Sequence, residues 1–221
     1  LDGKIHVIGG KDEGSPFSTV VVYDPLTDTW THSTGTTAAR YNLSAVEVGG
    51  VLYAIGGFNG SFPNAMVEVF APETDAWTPQ ADMPTARYGC AAAVSNGAIY
   101  VIGGQNQDGV LGTVEVYHPP TDSWTAAASL PTPRANLVAV SVNGKIYAIG
   151  GWDGREHLGT VEVYDPATDR WDTKSSMRVR RSGLAAVLLN GKIYAIGGTN
   201  GETHSRIVEV YNPATDGWSF R

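Results

Sequence analysis

Glutamate and arginine recur at a fixed spacing in this 221-residue sequence, and the two side chains together could act as an acid and a base. The glutamates are Glu68, Glu115, Glu162 and Glu209, and the arginines are Arg40, Arg87, Arg134 and Arg181, with 47 residues between successive members of each series. Four equivalent copies argue against catalysis. The segment before Arg40 has Val21 at the glutamate position and no matching arginine. This paired absence predicts a buried structural ion pair in each complete repeat, and losing one partner of such a pair costs about 3–5 kcal/mol.

Histidine and cysteine, which could bind a metal or act as a nucleophile, are scattered. The histidines are His6, His32, His118, His157 and His204. Only the last two occupy equivalent repeat positions, and two ligands without a third are weak grounds for a metal site. Cys90 aligns with Leu43, Leu137 and Leu184, so we interpret it as a buried apolar residue and not as a nucleophile. The sequence therefore indicates no catalytic residue, no metal and no cofactor.

The elements that position these residues repeat with the same period. A glycine doublet ends an apolar run five times, at Gly9-Gly10, Gly56-Gly57, Gly103-Gly104, Gly150-Gly151 and Gly197-Gly198. A fixed period indicates one supersecondary element per repeat, which cannot bury its apolar surface alone. We therefore interpret residues 1–221 as a single domain of five units, at 1–33, 34–80, 81–127, 128–174 and 175–221.

Each unit contains four short strand-like runs, named a to d in chain order. Run a follows the arginine, run b ends at the doublet, run c reads Val-Glu-Val-aromatic, and run d begins at a tryptophan. Asn-Gly pairs such as Asn143-Gly144 join a to b, and this dipeptide between apolar runs is a strong hairpin signal. Turns such as Asp165–Asp169 join c to d. We expect the second aspartate of each turn to accept hydrogen bonds from its own turn; these residues are Asp28, Asp75, Asp122, Asp169 and Asp216.

The fold class follows from the hairpins and from the apolar character of run b. Because every joint within a unit is a hairpin, each unit is predicted to be a four-stranded antiparallel meander. Neighbouring residues of run b, such as Ile146 to Ile149, are all apolar, which indicates that both faces of the small sheet are covered. Radial packing of the units satisfies this, with the small residues of run a innermost. The sequence therefore predicts an all-β fold, a β-propeller.

The doublet after a β-run, the aromatic residue before an Asp-Pro turn and the tryptophan that follows resemble the kelch repeat, in five copies over the whole chain. The family includes enzymes, namely copper oxidases of the galactose oxidase type, sialic acid mutarotases and iron-dependent specifier proteins, whose chemistry comes from irregular loops or added domains. The loops of this chain are short and uniform, and we find no tyrosine–cysteine–histidine set for copper. The resemblance therefore favours a non-enzymatic kelch propeller.

The first unit contains b, c and d only. Five complete units would need 235 residues (5 × 47), 14 more than the 221 present, which is about one run a with its leading loop. We therefore expect five blades, of which the first lacks its innermost strand. Three explanations are open: a five-bladed ring with one three-stranded blade, a fragment of a six-bladed parent, or an assembly in which another copy fills the gap. An unpaired edge promotes association, so a homo-oligomer through the incomplete first blade is predicted.

Two aromatic series recur once per unit and are interpreted as core, since burial of a large aromatic side chain is strongly stabilising. They are Trp30, Trp77, Trp124, Trp171 and Trp218, and Tyr23, Phe70, Tyr117, Tyr164 and Tyr211. Trp152 is the one tryptophan outside the series. It follows a doublet directly, in the b–c loop, and we expect it to be exposed and to bind a partner.

Variation between units is concentrated in the d–a and b–c loops, which hairpin alternation places at the same end of every blade. In kelch adaptors these positions line a rim that holds a partner peptide, so the resemblance implies a protein-binding rim with aromatic anchors and amides. Its members in this chain are Lys11, Tyr41, Asn42, Phe58, Tyr88, Gln105, Ala135, Asn136, Trp152, Arg155, Ser182 and Thr199. Nearby positive charge at Arg155, Arg178, Arg180 and Arg206 favours an acidic peptide as the partner.

Composition limits the classes of binding partner and the cellular location that the sequence favours. The net charge of −7 argues against a nucleic-acid or anionic-membrane binder, and no apolar stretch approaches the length of a membrane span. With one cysteine no intrachain disulfide can form, and the chain begins within a repeat with no visible targeting segment, so a cytoplasmic location is favoured. Two alternative functions stay open: a small-molecule or sugar-processing propeller of the mutarotase or oxidase type, and a repeat scaffold without a selected ligand.

Overall fold

A computed structural model describes residues 1–221 as five small antiparallel sheets, here called blades 1 to 5 in chain order. Blade 1 contains β1 (Ile5–Ile8), β2 (Val20–Asp24) and β3 (Thr29–Ser33). Blade 2 contains β4 (Ser44–Val48), β5 (Val51–Ile55), β6 (Val67–Ala71) and β7 (Ala76–Gln80). Blade 3 contains β8 (Ala91–Ser95), β9 (Ala98–Ile102), a short loop hairpin of β10 (Gln105–Asn106) and β11 (Gly109–Val110), then β12 (Val114–His118) and β13 (Ser123–Ala127).

The last two blades repeat the four-stranded pattern. Blade 4 contains β14 (Val138–Val142), β15 (Lys145–Ile149), β16 (Val161–Asp165) and β17 (Arg170–Lys174). Blade 5 contains β18 (Ala185–Leu189), β19 (Lys192–Ile196), β20 (Val208–Asn212) and β21 (Gly217–Phe220). In each complete blade the strands are hydrogen-bonded in the spatial order a, b, c, d. The all-β propeller with a three-stranded first blade is confirmed.

The tight turns take the conformations that their residues allow. Asn143 and Gly144 have φ of 51° and 77°, the left-handed pair of a two-residue hairpin turn. In blade 3 the c–d turn includes a 3₁₀ turn over Pro119–Thr121, ended by Asp122 at φ 44°. These turns set the register in which the run c aromatic residue faces the tryptophan, as Tyr117 faces Trp124.

The core consists of four apolar clusters, and each lies between two successive blades. The run a strands β4, β8, β14 and β18 are neighbours in that order, which places them innermost as predicted. Four tryptophans also cross the interface between blades through a hydrogen bond. The Nε1 group of Trp124 donates to the carbonyl of Ala81 at 2.9 Å, and Trp77, Trp171 and Trp218 make the equivalent bond. Each blade is thus stabilised by the blade before it.

Two expectations about the repeated residues were wrong in part. Trp30 is 60% exposed, because no blade covers that side of blade 1, whereas Trp77 and Trp218 are 8% exposed. The second turn aspartate acts between blades and not within its turn. Asp122 Oδ1 accepts the backbone N–H of Ala81, the first residue after β7 of blade 2, and the hydroxyl of Tyr117. The turn's own N–H groups bind the first aspartate instead, as when Ala167 donates to Asp165.

No helix in the structure has the length and apolar character required to cross a membrane.

Candidate partner-binding rim

In blades 3 and 5 a buried arginine holds together the two loops of the blade. The guanidinium of Arg87 donates to Glu115 Oε2 at 2.6 Å and to the carbonyls of Gly103 and Thr113 at 3.1 and 2.9 Å. Glu115 Oε1 accepts the hydroxyl of Thr85, which lies in the d–a loop. One ion pair therefore fastens the d–a loop to both ends of the b–c loop, and the loops cannot move independently.

All four predicted ion pairs are present. They are Arg40–Glu68, Arg87–Glu115, Arg134–Glu162 and Arg181–Glu209, with N···O distances of 2.5 to 3.0 Å and arginine side chains without solvent exposure. Burial lowers the pKa of Arg134, and the charge of Glu162 opposes that shift. Repetition and burial agree with a structural role for the pairs.

The glycine doublets allow the b–c loops of blades 1 to 4 to meet the following blade. The N–H of Gly104 donates to the carbonyl of Arg134 at 2.9 Å, and Gly103 and Gly104 have φ of 62° and 94°. A Cβ atom added at Gly103 would lie 2.5 Å from that same carbonyl, closer than any side chain tolerates. Glycine is therefore required here by conformation and by close approach.

The two loop positions assigned to the rim are paired directly. Tyr41 and Phe58 exchange two backbone hydrogen bonds, at 3.0 and 2.8 Å. The other pairs are Tyr88 with Gln105, Ala135 with Trp152, and Ser182 with Thr199. The structure thus brings together the residue after each arginine and the residue after each doublet, at one end of the propeller.

Blades 1 to 3 carry a continuous stack of side chains on this rim. The Lys11 ammonium lies 4.7 Å from the ring centre of Tyr41, whose ring is 5.7 Å from that of Phe58. The ring of Phe58 lies 4.9 Å from that of Tyr88. These four residues are called the aromatic ladder. All three rings are half-buried, so they are fixed by their neighbours and still present a surface.

Blades 4 and 5 carry positive charge instead. Two adjoining cavities of about 520 and 270 Å³ share Val179, Arg180 and Asn200. The exposed arginines that line them are Arg155, Arg178, Arg180 and Arg206, joined by His157 and His204, and this region is called the cationic cleft. The buried Arg181 also borders it. Arg180 is paired with Glu156, and Arg178 donates to the carbonyl of Trp218 at 3.1 Å.

The cleft also contains cations that are not engaged within the chain. The guanidinium groups of Arg155 and Arg206 donate no hydrogen bond to any residue of the protein, and both side chains are exposed. Arg180 is 64% exposed despite its ion pair. The cleft can therefore offer several donors to an anionic group without first breaking a buried contact.

Three predicted rim residues are less exposed to solvent, and so to a partner, than their loop positions suggested. Ala135 is fully buried and Ser182 is 5% exposed, so a partner could contact neither residue to any useful extent. The hydroxyl of Ser182 lies 3.0 Å from His157 Nδ1, and this hydrogen bond helps to fix the orientation of the imidazole. Trp152, expected to be exposed, is half-buried and bridges both Ala135 and His157.

Sequence reasoning missed Phe62. It is 61% exposed in the b–c loop of blade 2 and lines a cavity of about 310 Å³ with the loop residues Asn106 to Asp108 of blade 3. Phe62 lies five residues after its doublet, whereas the predicted rim took mainly the residue directly after each doublet. A second large aromatic side chain in the same loop as Phe58 was the available signal.

The family model of the KLHDC2/KLHL20/DRC7 Kelch-repeats domain matches residues 1–130 and, in a second placement, residues 44–220. The chain belongs to the kelch-repeat family. A solved structure described as the structure of YjhT matches the kelch fold over 100% of this chain and 82% of the other, with a TM-score of 0.86 and 17% identity. That likeness shows the fold alone. No curated protein matches the sequence.

At the hub of this kelch propeller, one residue per unit forms a line of backbone hydrogen bonds. Gly89 donates to Asn42, Asn136 donates to Gly89, and Gly183 donates to Asn136, at 2.7 to 2.9 Å. All four have φ between 51° and 60°, which is why only asparagine and glycine stand here. They line a cavity of about 260 Å³, into which two predicted rim residues, Asn42 and Asn136, project.

The histidines occupy separate places, and the cysteine is buried. No three His, Cys, Asp or Glu side chains lie together as a metal would need, and His157 and His204 line different cavities of the cationic cleft. The thiol of Cys90 is buried, and desolvation raises its pKa, which disfavours the nucleophilic thiolate. The kelch core therefore supplies framework, and the rim supplies what can vary.

Proposed function

We propose that this kelch propeller is a non-enzymatic interaction module that binds a partner protein or peptide on its rim. The observation that carries the proposal is the contrast between repeated framework and divergent rim. Four blades share the same buried ion pair and five share the doublet, yet the residue after each doublet differs in every unit: Lys11, Phe58, Gln105, Trp152 and Thr199. Divergence confined to one surface of a regular array is typical of a binding face.

The aromatic ladder supplies anchors for such a partner. Its rings are preorganised by mutual contact, so little side-chain entropy is lost when a partner covers them. Aromatic side chains dominate the energetics of most protein interfaces. Trp152 and the exposed Phe62 extend the same apolar character along the rim.

The cationic cleft gives the rim a preference for acidic segments. The protein carries a net charge of −7, so a cluster of four arginines is a local reversal of the overall field. Complementary charge raises association rate and selectivity more than affinity. We therefore propose a partner segment with an apolar side that lies on the ladder and acidic residues that enter the cleft.

Quantitative affinity capture from lysate tests the proposal, with the wild-type chain, a Tyr88→Ala/Trp152→Ala variant and a Leu26→Ala control. Leu26 is 96% exposed in a c–d turn, at the end of the blade opposite the rim. We expect a set of proteins that wild type and Leu26→Ala retain equally and that the double variant loses. Binding of that set should weaken with added salt. Equal retention by all three chains would contradict a rim site.

A second candidate function uses the hub cavity. Asn42 and Asn136 present amide groups that donate to no residue of the protein, around a space of about 260 Å³ that a small polar molecule could occupy. A thermal-shift screen against sugars and divalent metals separates the two candidates, because a ligand at 100 times its Kd stabilises the folded state by about 2.7 kcal/mol. A stabilising sugar whose effect is lost in Asn136→Gly, but kept in Tyr88→Ala, would favour the hub.

A further inference from the structure

The rim loops form an equivalent crevice at two places in the propeller. Between blades 2 and 3, the cavity of about 310 Å³ is lined by residues 62–63, 84–86 and 106–108. Between blades 4 and 5, the cavity of about 520 Å³ in the cationic cleft is lined by residues 155–157, 178–180 and 200. Six positions of the one correspond to six of the other at a distance of 94 residues, two repeat periods of 47. The repeat therefore builds the crevice, and the residues that line it set its chemistry.

The crevice between blades 2 and 3, here called the Phe62 crevice, has the opposite character to the cationic cleft. It has Pro84 and Ala86 where the cleft has Arg178 and Arg180, and Phe62 where the cleft has Glu156. No lysine, arginine or histidine lines the Phe62 crevice, and its one charged residue is an aspartate. A side chain that suits one crevice is therefore unsuited to the other.

Phe62 presents an aromatic face that nothing in the chain occupies. Its N–H donates to Asn59 Oδ1 at 2.8 Å, and its carbonyl accepts the N–H of Asn59 at 3.2 Å, so the loop holds the residue in place. The ring is 61% exposed, stacks on no other ring and has no cation of the chain over it. The face of an aromatic ring attracts a cation, because the ring carries negative charge density on its face.

Asp108 supplies an unpaired carboxylate to the same crevice. It lies at the tip of the β10–β11 hairpin, in which Asn106 is paired with Gly109, and its N–H donates to Asn106 Oδ1 at 2.9 Å. Its carboxylate is exposed, accepts no hydrogen bond and forms no ion pair within the chain. The crevice thus combines an open aromatic face with a free negative charge on a paired hairpin.

We infer that the Phe62 crevice binds an arginine side chain of the rim partner. The guanidinium lies on the face of Phe62 and donates to the carboxylate of Asp108, while the apolar stem contacts Pro63 and Pro84. Arginine fits better than lysine because its planar guanidinium stacks on a ring, donates two parallel hydrogen bonds to a carboxylate and is less strongly hydrated. The inference rests on the proposed function only for the source of this arginine.

Two crevices of opposite character give the rim a direction. Acidic residues of a partner suit the cationic cleft of blades 4 and 5, and an arginine suits the Phe62 crevice of blades 2 and 3. A segment that carries both, separated along its length, is favoured in one orientation, because the reverse orientation opposes like charges.

Nuclear magnetic resonance with a free probe tests the crevice without any partner. The 221-residue chain is titrated at constant ionic strength with N-acetyl-L-arginine amide and, separately, with the citrulline analogue, which has the same shape and no charge. We expect saturable shifts of the backbone amide signals of Phe62, Asn106 and Asp108. Binding of the citrulline probe should be at least about fivefold weaker, since it loses the charge-assisted hydrogen bonds. Equal binding of the two probes would overturn the inference.

Three variants distinguish the ring from the carboxylate. Phe62→Ala should weaken binding of the arginine probe at least about threefold, and Asp108→Asn should reduce it to the level of the citrulline probe. Glu202→Gln is the matched control, since Glu202 is the exposed equivalent of Asp108 in blade 5, and it should leave binding unchanged. Unchanged binding in Asp108→Asn, or an equal loss in Glu202→Gln, would overturn the inference. Neither result would alter the affinity capture that tests the proposed function, so the two proposals can fail separately.

Discussion

Arg180 and Arg181 are neighbours in the chain, and both form an ion pair with a glutamate, yet they occupy opposite environments. Arg181 is fully buried, lies 3.0 Å from Glu209 and also donates to the carbonyls of Ala195, Gly197 and Ile207. Arg180 points into the cationic cleft, where its side chain is 64% exposed and Glu156 is its one partner. The same chemical pair therefore serves as framework at one residue and as surface at the next.

The difference explains why one region repeats and the other varies. Every complete blade keeps the arginine and the glutamate in the same positions, and in blades 3 and 5 the arginine also satisfies the carbonyls at both ends of the b–c loop. A rim residue meets no such constraint, because solvent can satisfy its polar groups. The rim can accordingly change to suit a partner without loss of the fold.

The largest expected effect is a difference in the free energy of unfolding between Arg181→Met and Arg180→Met. In Arg181→Met, Glu209 is left as an uncompensated buried charge, which costs about 3–5 kcal/mol. Three carbonyls also lose their donor, which adds to that loss. In Arg180→Met we expect a change of less than about 1 kcal/mol, because exposed ion pairs contribute little. Urea denaturation of both variants measures the free energy of unfolding, and similar losses for the two would show that the rim pair is also structural.

Partner binding tests the exposed arginine, for which little change in stability is expected. If acidic segments enter the cleft, Arg180→Met weakens capture of the rim partners and reduces the salt dependence of that capture. The matched control is Arg170→Met, which removes an exposed arginine at the c–d end of blade 4. A loss of capture in the Arg170 variant equal to that in Arg180→Met would indicate an effect of net charge and not of the cleft.

Much of the framework was predictable, because each structural residue recurs at the same position in four or five units. The matched absence of glutamate at Val21 and of its arginine identified the ion pairs, and the small residues of run a identified the inner strands. The exposure of Trp30 was not predictable from its own unit. Trp30 and Trp218 have the same local pattern, and what differs is whether a neighbouring blade covers them.

The rim was predicted as a set of positions but not as a surface. Pairing of loop residues followed from hairpin alternation, whereas the burial of Ala135 and Ser182 depends on how far each loop folds inward. The cationic cleft joins residues of two loops and two blades, so its shape depends on contacts between distant parts of the sequence. The role of the second turn aspartate was missed for the same reason. It accepts a backbone N–H from the d–a loop, which is distant from it in the sequence.

A smaller contrast is expected between Trp218→Ala and Trp30→Ala. Trp218 is 8% exposed, packs on blade 4 and donates to the carbonyl of Ser175 at 2.7 Å, so truncation should cost about 3–5 kcal/mol. Trp30 is 60% exposed, so truncation of the same residue type should cost less than about 1 kcal/mol. Thermal unfolding of both variants measures the difference. A large loss at Trp30 would mean that the open face of blade 1 is covered in solution.

The smallest expected effect is the response to acid of the aspartates between blades. Asp216 accepts the Tyr211 hydroxyl at 2.7 Å and the Ser175 N–H at 2.9 Å, and these bonds hold its pKa below the ordinary value of 3.8. A lowered pKa in the folded state stabilises the protein above the ordinary value, and that stabilisation is lost as the pH falls through the folded pKa. Asp216→Asn should therefore be less stable than wild type near neutral pH, and the gap should close below about pH 4. Asp28 binds only Tyr23 of its own blade, so Asp28→Asn is the matched control and should show a smaller gap near neutral pH. Chemical denaturation at a series of pH values measures both gaps, and a gap at Asp216 that does not change with pH would assign the loss to geometry and not to charge.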